Sequence, residues 1–122
     1  MNRDRVQEQL AIDEGVVYEV YLDHLGYPTF GIGHLILNED PEKGFAVGHS
    51  VDPERVTEAF QRDLDIAITE CAMLYDLWST YPGEVQEILV NMMFNLGRPR
   101  LSGFKNFKKA VDAGDWVTAG IE

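Results

Sequence analysis

Between Asp52 and Leu74 the apolar residues Val56, Phe60, Leu64, Ala67, Ile68 and Cys71 step by three and four, with charged residues between them. That spacing predicts a long amphipathic helix over 53–74 with these side chains inward. Asp52-Pro53-Glu54 supplies its start: a capping acid, a proline at the first helical position and an acid in the first turn. A second stripe, Val85, Ile88, Leu89, Met92 and Leu96, predicts a helix over about 84–96. Tyr81-Pro82-Gly83 separates the two, and Gly97-Arg98-Pro99 stops the second. Arg3 to Glu14, with Val6, Leu10 and Ala11 inward, predicts a shorter helix that Gly15 ends as a left-handed cap. Two further helical pieces, Lys105–Asp112 and one from Asp115 onward, are divided by Ala113-Gly114.

Between the first and the long helix the pattern changes. Val16 to Leu22 is β-branched and aromatic and suits a strand. Asp23-His24-Leu25-Gly26 is turn chemistry, and Pro28 points to an edge strand or a strand start. Thr29 to Leu37 supplies two more short strand pieces around glycine bends, and Asn38 to Ser50 reads as a polar loop. The expected fold class is therefore α+β. A small three-stranded antiparallel sheet lobe with its loop (14–52) is followed by the connecting helix (53–74) and a larger helical lobe (82–122), with a cleft expected between the lobes. At 122 residues these form one domain, 1–122.

Charge narrows the partners. Ten basic residues against 21 acidic ones give a net charge of -11, which disfavours nonspecific nucleic-acid binding and anionic membrane surfaces. The single cysteine, Cys71, excludes an internal disulfide and sits in the apolar register of the long helix, as a buried thiol does. No apolar run approaches membrane-spanning length, and the first ten residues, MNRDRVQEQL, are charged. The expectation is a chain made in a cytoplasm, with no signal peptide and no membrane insertion. His24, His34 and His49 lack ligand spacing, so neither a metal nor another cofactor is expected.

Two acids stand out by position. Glu14 ends a helix, where the macrodipole favours the protonated form of a carboxyl and apolar neighbours would reinforce it. Asp23 lies in a polar turn and should stay ionised. A pair driven apart in this way is what glycoside hydrolysis uses: one carboxyl protonates the leaving oxygen and the other works on the opposite face. Taken alone, each acid equally fits a solvated turn residue, and Thr29 fits an ordinary strand threonine.

The stretch DEGVVYEVYLDHLGYPTFGIGHL, residues 13–35, goes further. Its Glu14-Gly15 step, its Tyr21-Leu22-Asp23 strand end and its Gly26-Tyr27-Pro28-Thr29-Phe30-Gly31-Ile32-Gly33-His34 segment resemble the signature of phage-type lysozymes of the T-even kind, glycoside hydrolase family 24. Asn91 to Gly97, Gly103-Phe104-Lys105-Asn106 and Ala113-Gly114-Asp115-Trp116 resemble later segments of that family, so that the likeness runs from near residue 6 to about 119. The resemblance implies a lysozyme-like fold and hydrolysis, with inversion, of the bond between N-acetylmuramic acid and N-acetylglucosamine in peptidoglycan. It implies Glu14 as general acid, Asp23 as the second carboxylate and Thr29 as the hydroxyl that places water. Leu35, Phe94, Asn95 and Phe104 match cleft-lining, substrate-binding positions of the family; a polar side chain at a helix end, as Asn95 is, is also suited to donate to sugar acetamides. His34 matches one half of a structural ion pair whose other half here is Asp63.

Two departures qualify that expectation. The family continues with a segment carrying an arginine that partners the catalytic acid, whereas this sequence reaches Gly120-Ile121-Glu122 before it, so the helical lobe is expected to be C-terminally incomplete. Its uncovered surface would then invite a dimer or a tail-protein partner. Phe107 also stands where relatives carry a small polar residue. The leading expectation is a bacteriolytic phage endolysin, released from the host cytoplasm to the cell wall, or a tail-associated lysozyme in the virion. The alternative is a weak or inactive peptidoglycan-binding module. An acidic protein–protein module, which rests on charge alone, is the third.

Overall fold

The computed structural model describes residues 1–96, 103–116 and 119, apart from the side chain at 106. The element order is α1 (Arg3–Glu14), β1 (Val17–Leu22), β2 (Pro28–Gly31), β3 (His34–Leu35), α2 (Pro53–Leu74), a 3-10 turn (Trp78–Thr80), α3 (Gly83–Leu96) and α4 (Lys105–Asp112). The fold is α+β. The chain divides into two compact units, Gln7–Asp63 and Met1–Val6 with Leu64–Glu122. Both α1 and α2 therefore contribute to each unit. The helix stop expected at Gly97-Arg98-Pro99 lies outside the described residues, as does the Gly120-Ile121-Glu122 end.

The first unit is built on an antiparallel sheet in the order β1-β2-β3. Tyr21 pairs with Thr29 and Leu22 with Pro28, and Thr29 pairs in turn with Leu35. Pro28 opens the central strand rather than an edge strand. The first residue of a strand can forgo its N–H, and the Pro28 carbonyl still accepts from the Ile36 N–H at 3.0 Å. Val20, Phe30 and Ile36 form one buried cluster with Val51, Val56 and Ala59, so this face of the sheet packs on the first turns of α2. Residues directly opposite share a face, which places Tyr21, Thr29 and Leu35 in one row on the other side.

The loop expected over Asn38–Ser50 is more ordered than its composition suggests. Its end pairs with the outer edge of β1: Val20 donates to the His49 carbonyl, Gly48 to the Val20 carbonyl and Val51 to the Tyr18 carbonyl, at 2.8–2.9 Å. A bridge between Glu19 and Ser50 completes the match.

In the second unit Cys71, Tyr75, Tyr81, Leu89, Val90, Met93, Ala110 and Val111 are buried. Burial pushes the Cys71 thiol up to about 12, and the thiol lies 3.6 Å from the Leu89 carbonyl as a weak donor. The inward face of α3 differs from the expected stripe. Leu89, Val90 and Met93 are buried, Val85, Met92 and Leu96 are partly buried, and Ile88 is 61% exposed. Five of the six residues from Ile88 to Met93 are apolar, so periodicity alone resolves the buried side poorly. On α2 the stripe is buried except for Ile68, which is partly exposed.

Candidate active site

Glu14 is the last residue of α1, and the chain turns away from it through Gly15 at φ +75°. Its side chain is exposed. Its carboxyl comes to rest beside Gly33, in the bend between β2 and β3. A Cβ on Gly33 would meet Glu14 Oε2 at 3.2 Å, and Gly33 has φ +64°. Glycine is thus favoured there on two counts, the left-handed backbone and the space the carboxylate takes.

Asp23 lies at the opposite end of the sheet, past the last residue of β1. Its Oδ1 accepts the N–H groups of Leu25 and Tyr27, both at 2.9 Å, and its own N–H donates to the Tyr27 carbonyl. This side-chain-closed turn fixes the carboxylate with respect to the hairpin backbone. Thr29 sits on the central strand, 3% exposed, and its hydroxyl donates to the Tyr27 carbonyl at 2.9 Å. With the hydroxyl proton engaged, the oxygen presents lone pairs.

The structure thus brings Glu14, Asp23 and Thr29 into one unit, around the face that carries the Tyr21–Thr29–Leu35 row. Leu35 is 44% exposed at the end of that row. The other three residues matched to substrate contact lie in the second unit. Phe94 is partly buried and Phe104 is 43% exposed. Asn95 is exposed, but its amide nitrogen donates to the carbonyl and to Oδ1 of Asn91, one turn back on the same helix, at 2.9 and 3.0 Å. The donor expected to meet a sugar acetamide is turned onto its own helix.

His34 is held between two carboxylates, Nδ1 at 2.6 Å from Asp63 Oδ2 and Nε2 at 2.8 Å from Asp40 Oδ2. Burial works against charge on the ring, yet the bonds to Asp63 and Asp40 prevail and raise its pKa above 6.5. Asp40 is buried as well. Burial alone would raise its pKa, but the Leu37 N–H, His34 and Arg55 together lower it. Arg55, on α2, continues the chain of charges. Its Nη2 reaches Asp40 at 3.1 Å, and Nε and Nη2 grip the buried Glu42 at 2.9 and 3.0 Å. Its guanidinium also lies 5.6 Å from the centroid of the Phe30 ring.

Asp40, Glu42 and Arg55 were not legible as partners, because acids in a Gly- and Pro-rich loop read as solvated. The sequence signal that could have pointed to them is the pairing of two loop acids with an arginine in the first turn of the next helix. Among the described residues no group of three or more His, Cys, Asp or Glu could hold a metal ion, and no helix is long and apolar enough to cross a membrane.

Comparison with known proteins identifies a family. Residues 11–122 match the family model described as phage lysozyme. The chain is 34% identical over 131 residues to the pre-baseplate central spike protein Gp5 of Enterobacteria phage T4, covering 92% of this chain but only 23% of that protein. It is 29% and 28% identical to the probable T4-type lysozymes 2 and 1 of Dictyostelium discoideum, covering 96% of this chain and 80% of each. The chain belongs to the phage lysozyme family, a family of glycoside hydrolases.

Proposed function

We propose that the chain hydrolyses the glycan strands of bacterial peptidoglycan between N-acetylmuramic acid and N-acetylglucosamine, with inversion at the sugar carbon. The observation that carries this reading is the placement of Glu14 and Asp23 at opposite ends of one sheet face, with Thr29 on the strand between them. Glu14, exposed beside Gly33, protonates the leaving oxygen. Asp23, with Oδ1 fixed by two backbone N–H groups, acts as the second carboxylate. Thr29 Oγ1, its proton given to the Tyr27 carbonyl, accepts a hydrogen bond from the attacking water and orients it. Inversion requires the two carboxyls to stand far enough apart to admit a water between them, and their places at the two ends of the sheet favour that reading. Leu35 offers an apolar surface to a sugar ring, and Phe94, Asn95 and Phe104 are assigned substrate contacts within their own unit.

The name of the T4 relative, a central spike protein, supports a tail-associated lysozyme. The two Dictyostelium lysozymes, covered over 80% of their length, support a free enzyme equally well. The test is clearing of purified peptidoglycan, with the anomer of the new reducing end read by proton NMR before it mutarotates. The expected product is the α-anomer, and Glu14→Gln should abolish its release. A chain that binds peptidoglycan without releasing reducing ends would instead be a binding module.

A further inference from the structure

Tyr21 lies on the sheet face between the groups assigned above. It is the cross-strand partner of Thr29 and lies two residues before Asp23, so strand parity puts its side chain on the face of Thr29 and Leu35. Glu14 approaches this face from the far end, against Gly33. The ring of Tyr21 is partly buried. Burial raises the pKa of its phenol, and the charges of Glu14 and Asp23 raise it further.

The two acids differ in what already holds them. Asp23 is oriented by the Leu25 and Tyr27 N–H groups. Glu14 is exposed, at the end of a helix, on a side chain with three rotatable bonds. A general acid must be held within a fraction of an ångström of the leaving oxygen to work well. Tyrosine suits that task on a strand. It reaches farther than serine or threonine, and as a neutral donor it eases the repulsion of two carboxylates without adding a charge.

We propose that Tyr21 is a positioning residue for hydrolysis, its phenol hydroxyl donating to the Glu14 carboxyl and holding it over the Thr29 row once substrate excludes water. This rests on the hydrolase reading. Tyr21→Phe keeps the ring and removes the donor. The Glu14 carboxyl becomes charged as it gives up its proton, so the lost donor is expected to lower kcat about tenfold, as loss of a hydrogen bond to a charged group does, with KM and melting temperature close to wild type. A merely structural tyrosine would leave the kcat of Tyr21→Phe within about twofold of wild type, and that result overturns the proposal.

A second measurement does not depend on turnover. With tyrosines labelled at the ring Cζ, the titration midpoint of Tyr21 should fall in Glu14→Gln, because a negative neighbour is lost. An unmoved midpoint overturns the placement. A wild-type chain that releases no reducing ends sinks the hydrolase reading, and the Tyr21 midpoint then decides the contact by itself.

Discussion

Gly33 and Glu14 are in close approach: a Cβ on the glycine would sit 3.2 Å from Oε2 of the acid, in a backbone conformation, φ +64°, that other residues resist. The bend that joins β2 to β3 is therefore also a wall against which the proposed general acid rests. Gly33→Ala should cost about 1–2 kcal/mol of stability from the left-handed backbone. It should also push the carboxyl aside by a few tenths of an ångström. The expected outcome is a loss of turnover, on the order of tenfold, larger than the loss of stability can explain. Thermal unfolding and initial rates on peptidoglycan, measured on the same preparation, separate the two effects.

Asp23 closes a turn and is proposed as the second carboxylate, and substitutions can divide the two. Its Oδ1 closes the hairpin turn through Leu25 and Tyr27, and an asparagine keeps that oxygen while removing the charge. Asp23→Asn should therefore melt within about 0.5 kcal/mol of wild type and lose activity, whereas Asp23→Ala should lose activity and about 1–2 kcal/mol of stability as well. Equal stability of the two variants would show that the turn does not depend on the side chain.

The His34 pair makes stability depend on pH in two directions. His34 has its pKa raised in the folded chain above 6.5, burial being outweighed by the bonds to Asp63 and Asp40. Its contribution is complete below the unfolded value and is lost as pH rises through the folded one. Asp40 has its pKa lowered below 3.8 despite burial, by the Leu37 N–H, His34 and Arg55. Its contribution is present above the unfolded value and is lost as pH falls through the folded one. Urea midpoints measured across the pH range should be highest between these limits. In His34→Gln the decline on the alkaline side should flatten, and an unchanged slope would contradict the linkage.

Arg55 holds Asp40 and Glu42, both buried, at the base of the loop. Removing it strands two carboxylates away from water. Arg55→Ala should destabilise by about 3–5 kcal/mol. Arg55→Lys should recover only part of that, since one ammonium cannot reproduce the two-pronged grip on Glu42. Denaturant titration of the two variants checks the order.

The helices and strands were legible wherever one periodicity dominated. The Asp52-Pro53-Glu54 start and the stripe from Val56 to Cys71 mark α2, and Gly15 marks the end of α1. α3 was legible as a helix but not in its buried side, because Ile88, Leu89, Val90, Met92 and Met93 surround it with apolar residues. The ion network was hidden for a different reason. Arg55 is 13 residues from Glu42 and 15 from Asp40 in sequence, and only the fold turns such separations into hydrogen bonds. Glu14, Asp23 and Thr29 stood out through the family resemblance. Tyr21 belongs to the same signature but carried no role there, since strand tyrosines are common and its register with Thr29 appears only once the ladder is formed.

The pairing of residues 48–51 along β1 bears on how the molecule behaves in a crowded solution. A sheet with a bare flank is a template on which foreign chains can add strands. Here one flank is already occupied by the chain's own loop, and the other is β3, only two residues long. Neither offers a neighbouring molecule a long run of unpaired backbone. The face proposed to meet a large polymer can thus stay open while the sheet gives little purchase to another copy of itself.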